Sequence, residues 1–349
     1  MSKIMSRPKI YTLLGTQTHL PPRGGDLINE ARFFRTLSEF ADVYYNGQLF
    51  QPDQVDFGLK DIPIKVPGSG YDLYYVRANK DIYRQLPRPK ACLALPYDEE
   101  LYADADALFT TTGTWRDMLI NFSQEHPPKS WRKGWYGDSI ARPKSVINIA
   151  QSADPSFKPY PDHFETFRYR AKFGYGFVVG YFGRIAADTV PRTYFGALPK
   201  LSRTIDHLTT IVAGNITVDI PRNIRLVDRI DYSKMPYALN ACDLVLYDCG
   251  DDGHWAGSGK VIDAISCGVP IVLPRKDARI EQLGEDYPLF CDDSKELEEK
   301  VVKFACDTEY RAEVREKVLA LSDSFRPRVV AKQLERPIYD LIQGFKNND

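Results

Sequence analysis

The strongest constraint on the fold is a pattern of strand, glycine-rich loop, helix and strand near the start of the chain. Lys9–Leu14 is a short apolar run typical of a buried strand. After a loop with Gly24 and Gly25, Leu27–Phe40 has apolar residues at helical spacing, and Ala41–Asn46 reads as the next strand. This βαβ pattern predicts a parallel sheet, because the crossover helix returns the chain to the same end of the sheet. Four later runs also predict strands: Asp72–Arg77, Lys90–Leu95, Ala107–Thr112 and Ser145–Ile149.

A second series of the same kind begins at Tyr175, where Gly176–Gly183 predicts a strand that leads into a glycine turn. Further strands are predicted at His207–Ala213, Ile224–Leu226, Asp243–Asp248 and Pro270–Leu273. Helices are predicted at Tyr237–Cys242, Lys260–Cys267, Ser294–Cys306, Tyr310–Leu321 and Val329–Phe345. Pro155–Pro161 is the best linker candidate, because prolines interrupt regular structure. We therefore predict two α/β domains joined near Pro155–Lys172.

Length and charge agree with a soluble protein of this kind. A chain of 349 residues, 43% of them hydrophobic, has material for about two domain cores. Its 46 Lys and Arg nearly balance 47 Asp and Glu, for a net charge of −1. Proteins whose main partner is bulk nucleic acid usually carry a basic excess, so nucleic acid is not the favoured partner.

The six cysteines and the hydropathy pattern indicate the expected compartment. No two cysteines form a CxxC pair, and most lie in apolar runs, which is typical of buried thiols in a reducing compartment. The cysteines and histidines do not have the spacing of a zinc site. No apolar stretch reaches the length of about 18 residues that a membrane span requires. We expect a cytoplasmic protein without a transmembrane segment, and peripheral membrane contact is left open.

The segment 257–272 carries the clearest chemical signal. Two glycines and a serine precede a predicted helix, whose free N–H groups and positive dipole end attract an anion such as a diphosphate. Lys260 adds a positive charge, and Asp263, one turn later, can accept hydrogen bonds from ribose hydroxyls. A solvated lysine and a surface acid are the simpler alternatives. The candidate donor contacts are Gly257, Ser258, Gly259, Lys260, Val261 and Asp263.

This segment resembles the donor-binding segment of family 4 (group 1) glycosyltransferases and related GT-B enzymes. In that family a helix leads into a fixed sequence pattern. The pattern is an acidic residue, Ala or Tyr, any two residues, Gly, any residue, Pro, and finally two hydrophobic residues. Met235–Tyr247 resembles the preceding family segment, and Gly180–Arg184 resembles the first strand of its C-terminal domain. Val146–Pro159 is similar to the interdomain crossover, and Pro22–Gly25 is similar to the N-terminal glycine-rich loop. The matches follow the family order along the chain.

The resemblance implies an α/β protein of the GT-B fold, with two Rossmann-like domains whose parallel sheets face across a cleft. Residues 1–165 would form the acceptor domain and residues 172–325 the donor domain, with a last helix at about 328–349 packing back on the first. The implied activity is that of a hexosyl- or pentosyltransferase of carbohydrate biosynthesis, retaining and metal-independent. A UDP- or GDP-linked sugar would be the donor substrate, without a cofactor. The acceptor would be a carbohydrate, lipid-linked or other hydroxyl.

The resemblance also assigns roles to individual residues. Arg184, Lys260 and Arg192 would neutralise the donor diphosphate, with Arg192 standing at a longer spacing than the family's usual lysine. The glycines Gly24 and Gly25 would approach the donor phosphate, although a tight turn alone would also explain them. In the implied mechanism the leaving phosphate takes the acceptor proton, so the protein positions the reactants and stabilises charge.

One departure from the family concerns its two glutamates separated by seven residues. The corresponding positions hold Trp255 and Asp263, so the first acid is missing. His254 is the candidate substitute in the catalytic set, with Asp251 and Asp252 as further alternatives. In the first domain, Asp98 follows a predicted strand and is a candidate catalytic residue of the acceptor site.

Three other functions stay open at this point. A transferase acting on modified DNA bases is favoured by the aromatic and basic run Trp131–Tyr136, which can stack on bases, and is opposed by the balanced charge. A non-catalytic binder of sugar nucleotides is favoured by the missing glutamate. A sugar-nucleotide epimerase would need a set of acid and base residues that the sequence does not clearly supply.

Overall fold

The computed structural model describes residues 7–13, 25–45, 70–76, 86–93, 105–120, 145–186, 190–247 and 257–347. Contacts divide the chain into two compact units. The first unit is Met1–Ser152 together with Pro327–Asp349, and the second is Ala153–Arg326.

The first unit contains a six-stranded sheet in which every pair of neighbouring strands is parallel. The strands are β1 Lys9–Leu13, β2 Asp42–Tyr45, β3 Leu73–Val76, β4 Lys90–Leu93, β5 Ala107–Thr110 and β6 Val146–Asn148, in the order β2-β1-β3-β4-β5-β6. The residues of β3, β4 and β5 are buried throughout, as expected when helices cover both faces of a parallel sheet.

The second unit contains another six-stranded sheet, also parallel at each pairing. Its strands are β7 Val178–Phe182, β8 Thr209–Ala213, β9 Arg225–Val227, β10 Leu244–Leu246, β11 Ile271–Pro274 and β12 Phe290–Cys291, in the order β12-β11-β10-β7-β8-β9. The central strand β7 is fully buried. Its carboxyl end therefore leads from the core to the side of the sheet where all the parallel strands end.

The described residues form ten α-helices. They are α1 Gly25–Leu37, α2 Gly113–Ile120, α3 Phe164–Phe173, α4 Arg192–Thr204, α5 Met235–Asn240, α6 Gly259–Ser266, α7 Asp277–Leu283, α8 Ser294–Cys306, α9 Thr308–Ser322 and α10 Pro327–Lys346. Short 3₁₀ turns are formed by Tyr232–Lys234 and Asp323–Phe325. No helix in these ranges has the length and apolar character needed to cross a bilayer.

The last helix belongs to the first unit. Helix α10 packs on α1, and the Lys346 ammonium group lies 2.6 Å from a carboxylate oxygen of Asp72, just before β3. Its buried side includes Leu334 and Ile338, both 0% exposed. The chain therefore leaves the first unit after β6 and returns to it at α10.

The second unit begins earlier than the predicted residue 172. Ala153 is 1% exposed and Phe157 is 0% exposed, and both lie in the hydrophobic core of this unit. The Ala153 N–H donates to the carbonyl oxygen of Phe325 at 2.8 Å, also within this unit. The proline-rich segment is thus packed against the second unit and leads into α3. The predicted fold class, two α/β units with parallel sheets and flanking helices, is confirmed.

Candidate functional site

Helix α6 begins at the edge of the second sheet where the carboxyl ends of the parallel strands meet. It follows β10 in the chain and precedes β11, its neighbour in the sheet. Ser258 is the N-cap residue, but its side chain makes no capping hydrogen bond. The N–H groups of the first helical turn lack intrahelical acceptors, so this helix start has donors for an anionic ligand. In open α/β sheets, ligands bind at this edge.

Lys260 is held against the aromatic ring of Tyr181, which lies on β7. Its Nζ atom is 4.8 Å from the ring centroid and donates to the Tyr181 hydroxyl at 3.4 Å. The same hydroxyl donates to the carbonyl oxygen of Arg184 at 3.0 Å. Burial, together with the positive charge of Arg184, lowers the pKa of Lys260 to about 8. An anion bound here would therefore relieve the repulsion between the two cations.

The close approach of Lys260 depends on two glycines. Gly183 follows β7 with φ +135°, and a Cβ atom there would lie 2.5 Å from Lys260 Nζ. Gly214 follows β8 with φ +149°, and a Cβ atom there would lie 2.0 Å from the carbonyl oxygen of Gly183. Positive φ favours glycine at both positions, and at Gly214 the close backbone of Gly183 leaves no space for a Cβ atom either. The two turns thereby leave room for Lys260 beside the end of β7.

The structure brings together two of the predicted diphosphate contacts, Arg184 and Lys260. Arg184 is exposed directly after Gly183, next to the turn that Lys260 reaches. Arg192 is the first residue of α4 and is exposed. Its role as the second cation of the pair stays a prediction, whereas the positive charge of Arg184 contributes to the lowered pKa of Lys260.

The other predicted contacts on α6 differ in what they can offer a ligand. Val261 is 0% exposed in the core, so only its backbone N–H is available. The Ser258 N–H already donates to Gln282 Oε1 at 3.3 Å. Asp263 lies one turn after the helix start and is partly exposed, where its carboxylate can accept hydrogen bonds. Gly257 and Gly259 flank the N-cap residue.

A buried polar network beneath this helix start was not predicted from the sequence. Arg279 on α7 is 1% exposed, and its Nη2 donates to the Tyr247 hydroxyl at 2.9 Å. Its Nη1 donates to Gln282 Oε1 at 2.5 Å, and Gln282 Nε2 donates to the Ser258 carbonyl at 3.4 Å. The network thus connects the residue after β10 with the residue before α6. A single sequence offers no signal for it, because Arg and Gln in a short polar helix read as solvated residues.

Several predicted site residues lie outside the described residues: Gly24, Asp98, Asp251, Asp252, His254, Trp255 and the run Trp131–Tyr136. Gly25 is described as the first residue of α1. Within the described ranges, no group of three or more His, Cys, Asp or Glu side chains is arranged to hold a metal ion.

With this geometry in place, comparison with known proteins identifies the class of fold. Residues 196–335 match the family model described as glycosyl transferase-like. Solved GT-B glycosyltransferases resemble the chain over almost its whole length. The chain therefore has the GT-B fold, and its predicted resemblance to GT-B glycosyltransferases is confirmed. A search of curated protein sequences found no match.

Three solved structures illustrate the likeness. HepE of Anabaena, crystallised with UDP and glucose, is 15% identical, with a TM-score of 0.67 over 96% of this chain and 100% of HepE. Sucrose-phosphate synthase of Thermosynechococcus elongatus is 12% identical, with a TM-score of 0.65 over 97% and 100% of the two chains. The UDP-forming α,α-trehalose-phosphate synthase of Burkholderia vietnamiensis is 10% identical, with a TM-score of 0.59 over 97% and 100%.

Proposed function

We propose that this protein is a glycosyltransferase that binds a nucleotide sugar at the start of α6 and transfers the sugar to a hydroxyl acceptor. The observation that carries the proposal is the position of Lys260. Its ammonium group lies against the glycine turn after β7, next to Arg184 and at a helix N-terminus. These features concentrate positive charge at the sheet edge where α/β proteins bind ligands.

A diphosphate is the ligand that suits this arrangement best. Charge-assisted hydrogen bonds from lysine and arginine to phosphate oxygens are about twice as strong as neutral ones. Backbone N–H groups of the first helical turn add donors without further charge. One turn along the same helix, the partly exposed Asp263 carboxylate would accept hydrogen bonds from hydroxyl groups of the ribose. UDP-sugars are the first donors to test, because HepE is crystallised with UDP-glucose. GDP-sugars are the second.

The proposed chemistry requires charge stabilisation and positioning from the protein. The bond between the anomeric carbon and the diphosphate oxygen breaks while the acceptor oxygen bonds to the same carbon. The acceptor oxygen attacks on the same face from which the diphosphate leaves, so configuration is retained. The departing phosphate takes the proton of the acceptor hydroxyl, and no metal is required. Lys260 and Arg184 stabilise the negative charge that develops on the leaving diphosphate. The acceptor is a carbohydrate, lipid-linked or other hydroxyl compound.

The proposal is tested by measuring the binding and hydrolysis of UDP-, GDP-, ADP- and TDP-sugars by calorimetry and product analysis. Lys260→Ala should weaken binding of the preferred donor about tenfold or more, because one charge-assisted hydrogen bond is lost. Asp263→Asn should weaken it less. Lys295→Ala is the matched control, since Lys295 is 83% exposed on α8. Binding that ignores Lys260 would rule out this site, and binding without turnover would indicate a non-catalytic binder.

A further inference from the structure

Helix α3 exposes an aromatic and basic face. Phe164 is 70% exposed and Phe167 is 55% exposed. Together with the exposed residues Arg168, Ala171 and Lys172, they recur at the i, i+3, i+4, i+7 and i+8 positions that define one side of a helix. The two buried residues of α3 are Thr166 and Phe173. The outward face is therefore the aromatic one, opposite to the usual arrangement in a surface helix.

The exposed aromatic residues are concentrated at this place. Tyr175, just beyond the end of α3, is 88% exposed. Five large apolar side chains are exposed among the described residues, and Phe164, Phe167 and Tyr175 are three of them. Scattered apolar side chains are normal on a protein surface, but a local concentration marks an interaction site.

Two cationic side chains lie on this face. Arg168 and Lys172 are exposed on it, and the Arg168 guanidinium lies 6.0 Å from the centroid of the Phe164 ring. The acid beside the face, Glu165, is 20% exposed and pairs with Arg168 at 2.9 Å. Arg170 points elsewhere and pairs with Asp243 at 2.8 Å. Cationic side chains thus border two aromatic rings: Arg168 compensates Glu165, and Lys172 adds one further positive charge.

We propose that the outward face of α3, with Tyr175, docks on an anionic lipid surface. Aromatic rings on one face of a helix insert at the boundary between head groups and acyl chains, while flanking Arg and Lys bind anionic head groups. A second copy of this chain is the alternative occupant of this face, and the experiment below distinguishes it from lipid. The inference is independent of the donor site, since it involves none of the residues near α6.

The experiment is sedimentation with vesicles of phosphatidylcholine, with and without about 30% phosphatidylglycerol. The full chain should bind the anionic vesicles, bind neutral ones much more weakly, and be released by salt, because screening weakens attraction to the surface. The variants Phe164→Ser/Phe167→Ser and Arg168→Glu/Lys172→Glu should each bind anionic vesicles about tenfold more weakly or worse.

The matched control is Leu319→Ser/Lys295→Glu, which changes an apolar residue 49% exposed and a lysine 83% exposed on other helices of the same unit. It should bind vesicles like the unchanged protein. Circular dichroism checks that all variants fold, and donor binding should be the same in all of them. The proposal is overturned if the unchanged protein does not prefer anionic vesicles, or if the control loses as much binding as the α3 variants. It is also overturned if the α3 substitutions abolish a dimer formed without lipid.

Discussion

At the scale of single residues, Lys260 combines a charge with a poorly hydrated position. Its ammonium group lies over the Tyr181 ring and close to Arg184, so its pKa falls to about 8. Near neutral pH it still carries the proton, but only a small rise in pH removes it. Donor binding and the protonation of Lys260 should therefore be coupled.

The coupling predicts the pH dependence of donor affinity. A bound diphosphate favours the charged lysine and raises the pKa of Lys260 above its value in the free protein. Affinity should then be nearly constant below pH 8, fall as pH rises above about 8, and level off above the pKa of the complex. Calorimetry in buffers of different ionisation enthalpy should detect proton uptake near pH 8.5. In Lys260→Arg this dependence should disappear, because arginine stays charged. A steep dependence that survives in Lys260→Arg would contradict the prediction.

Two glycines in the second unit should respond in opposite ways to alanine. In Gly183→Ala the new Cβ would meet Lys260 Nζ at 2.5 Å, and φ is +135°. We expect a loss of about 1–3 kcal/mol in unfolding free energy and weaker donor binding. Gly196 lies inside α4, where a Cβ would contact nothing within 4 Å. Gly196→Ala should stabilise by about 0.4–1 kcal/mol and leave binding unchanged. Urea denaturation measures the unfolding free energy of both variants. Equal changes in the two variants would contradict the prediction.

At the scale of elements, α7 supports the start of α6. Gln282 bonds both to buried Arg279 and to the backbone of Ser258. Gln282→Leu should lower the unfolding free energy by about 1–3 kcal/mol, because buried N–H groups lose their hydrogen-bond acceptor. It should also weaken binding of the nucleotide sugar, because the start of α6 is held less firmly. Glu281→Gln, on the exposed side of the same helix, is the control. Donor affinity and urea denaturation should both change in the first variant only, and an unchanged affinity would show that the network has no positioning role.

Sequence signals were sufficient to predict most strands but only some of the helices. Most strands were predictable because both faces of a parallel sheet are buried, so such a strand appears as an apolar run. The two-residue strand β12 was not predicted, because it is too short to form such a run. Helix α3 was assigned to a linker, since its exposed Phe164 and Phe167 do not mark a core-facing stripe. Helix α4 contains Gly196 and Pro199, which interrupt the helical signal.

Only part of the candidate site could be predicted from residues that are neighbours in the sequence. The glycines before α6 and Arg184 at a strand end are recognisable from neighbouring residues. The approach of Lys260 to Gly183 is not, because it depends on how β7 and α6 pack within the second unit. Arg192 was chosen for its nearness to Arg184 in the chain, which does not determine nearness in space.

At the scale of the whole molecule, the two units should respond separately to perturbation. Leu334 on α10 is 0% exposed in the first unit. Leu334→Ala should cost that unit about 2–5 kcal/mol, because it leaves a cavity. A donor at about 100 times its dissociation constant should stabilise the second unit by about 2.7 kcal/mol. Scanning calorimetry should show the destabilisation by Leu334→Ala and the stabilisation by the donor in two different unfolding transitions. Lys332→Ala, at an exposed position on the same helix, is the control. One common transition that shifts with both changes would contradict this.

The hydrogen bond between Ala153 and Phe325 joins the point where the chain enters the second unit to the point where it leaves. A segment whose two ends are neighbours can be removed and replaced as a cassette without stretching the polypeptide on either side. Residues 153–326 are thus a natural unit of exchange. Through such a graft, a protein of this design could receive a different ligand-binding unit while it keeps the first unit and its last helix, α10.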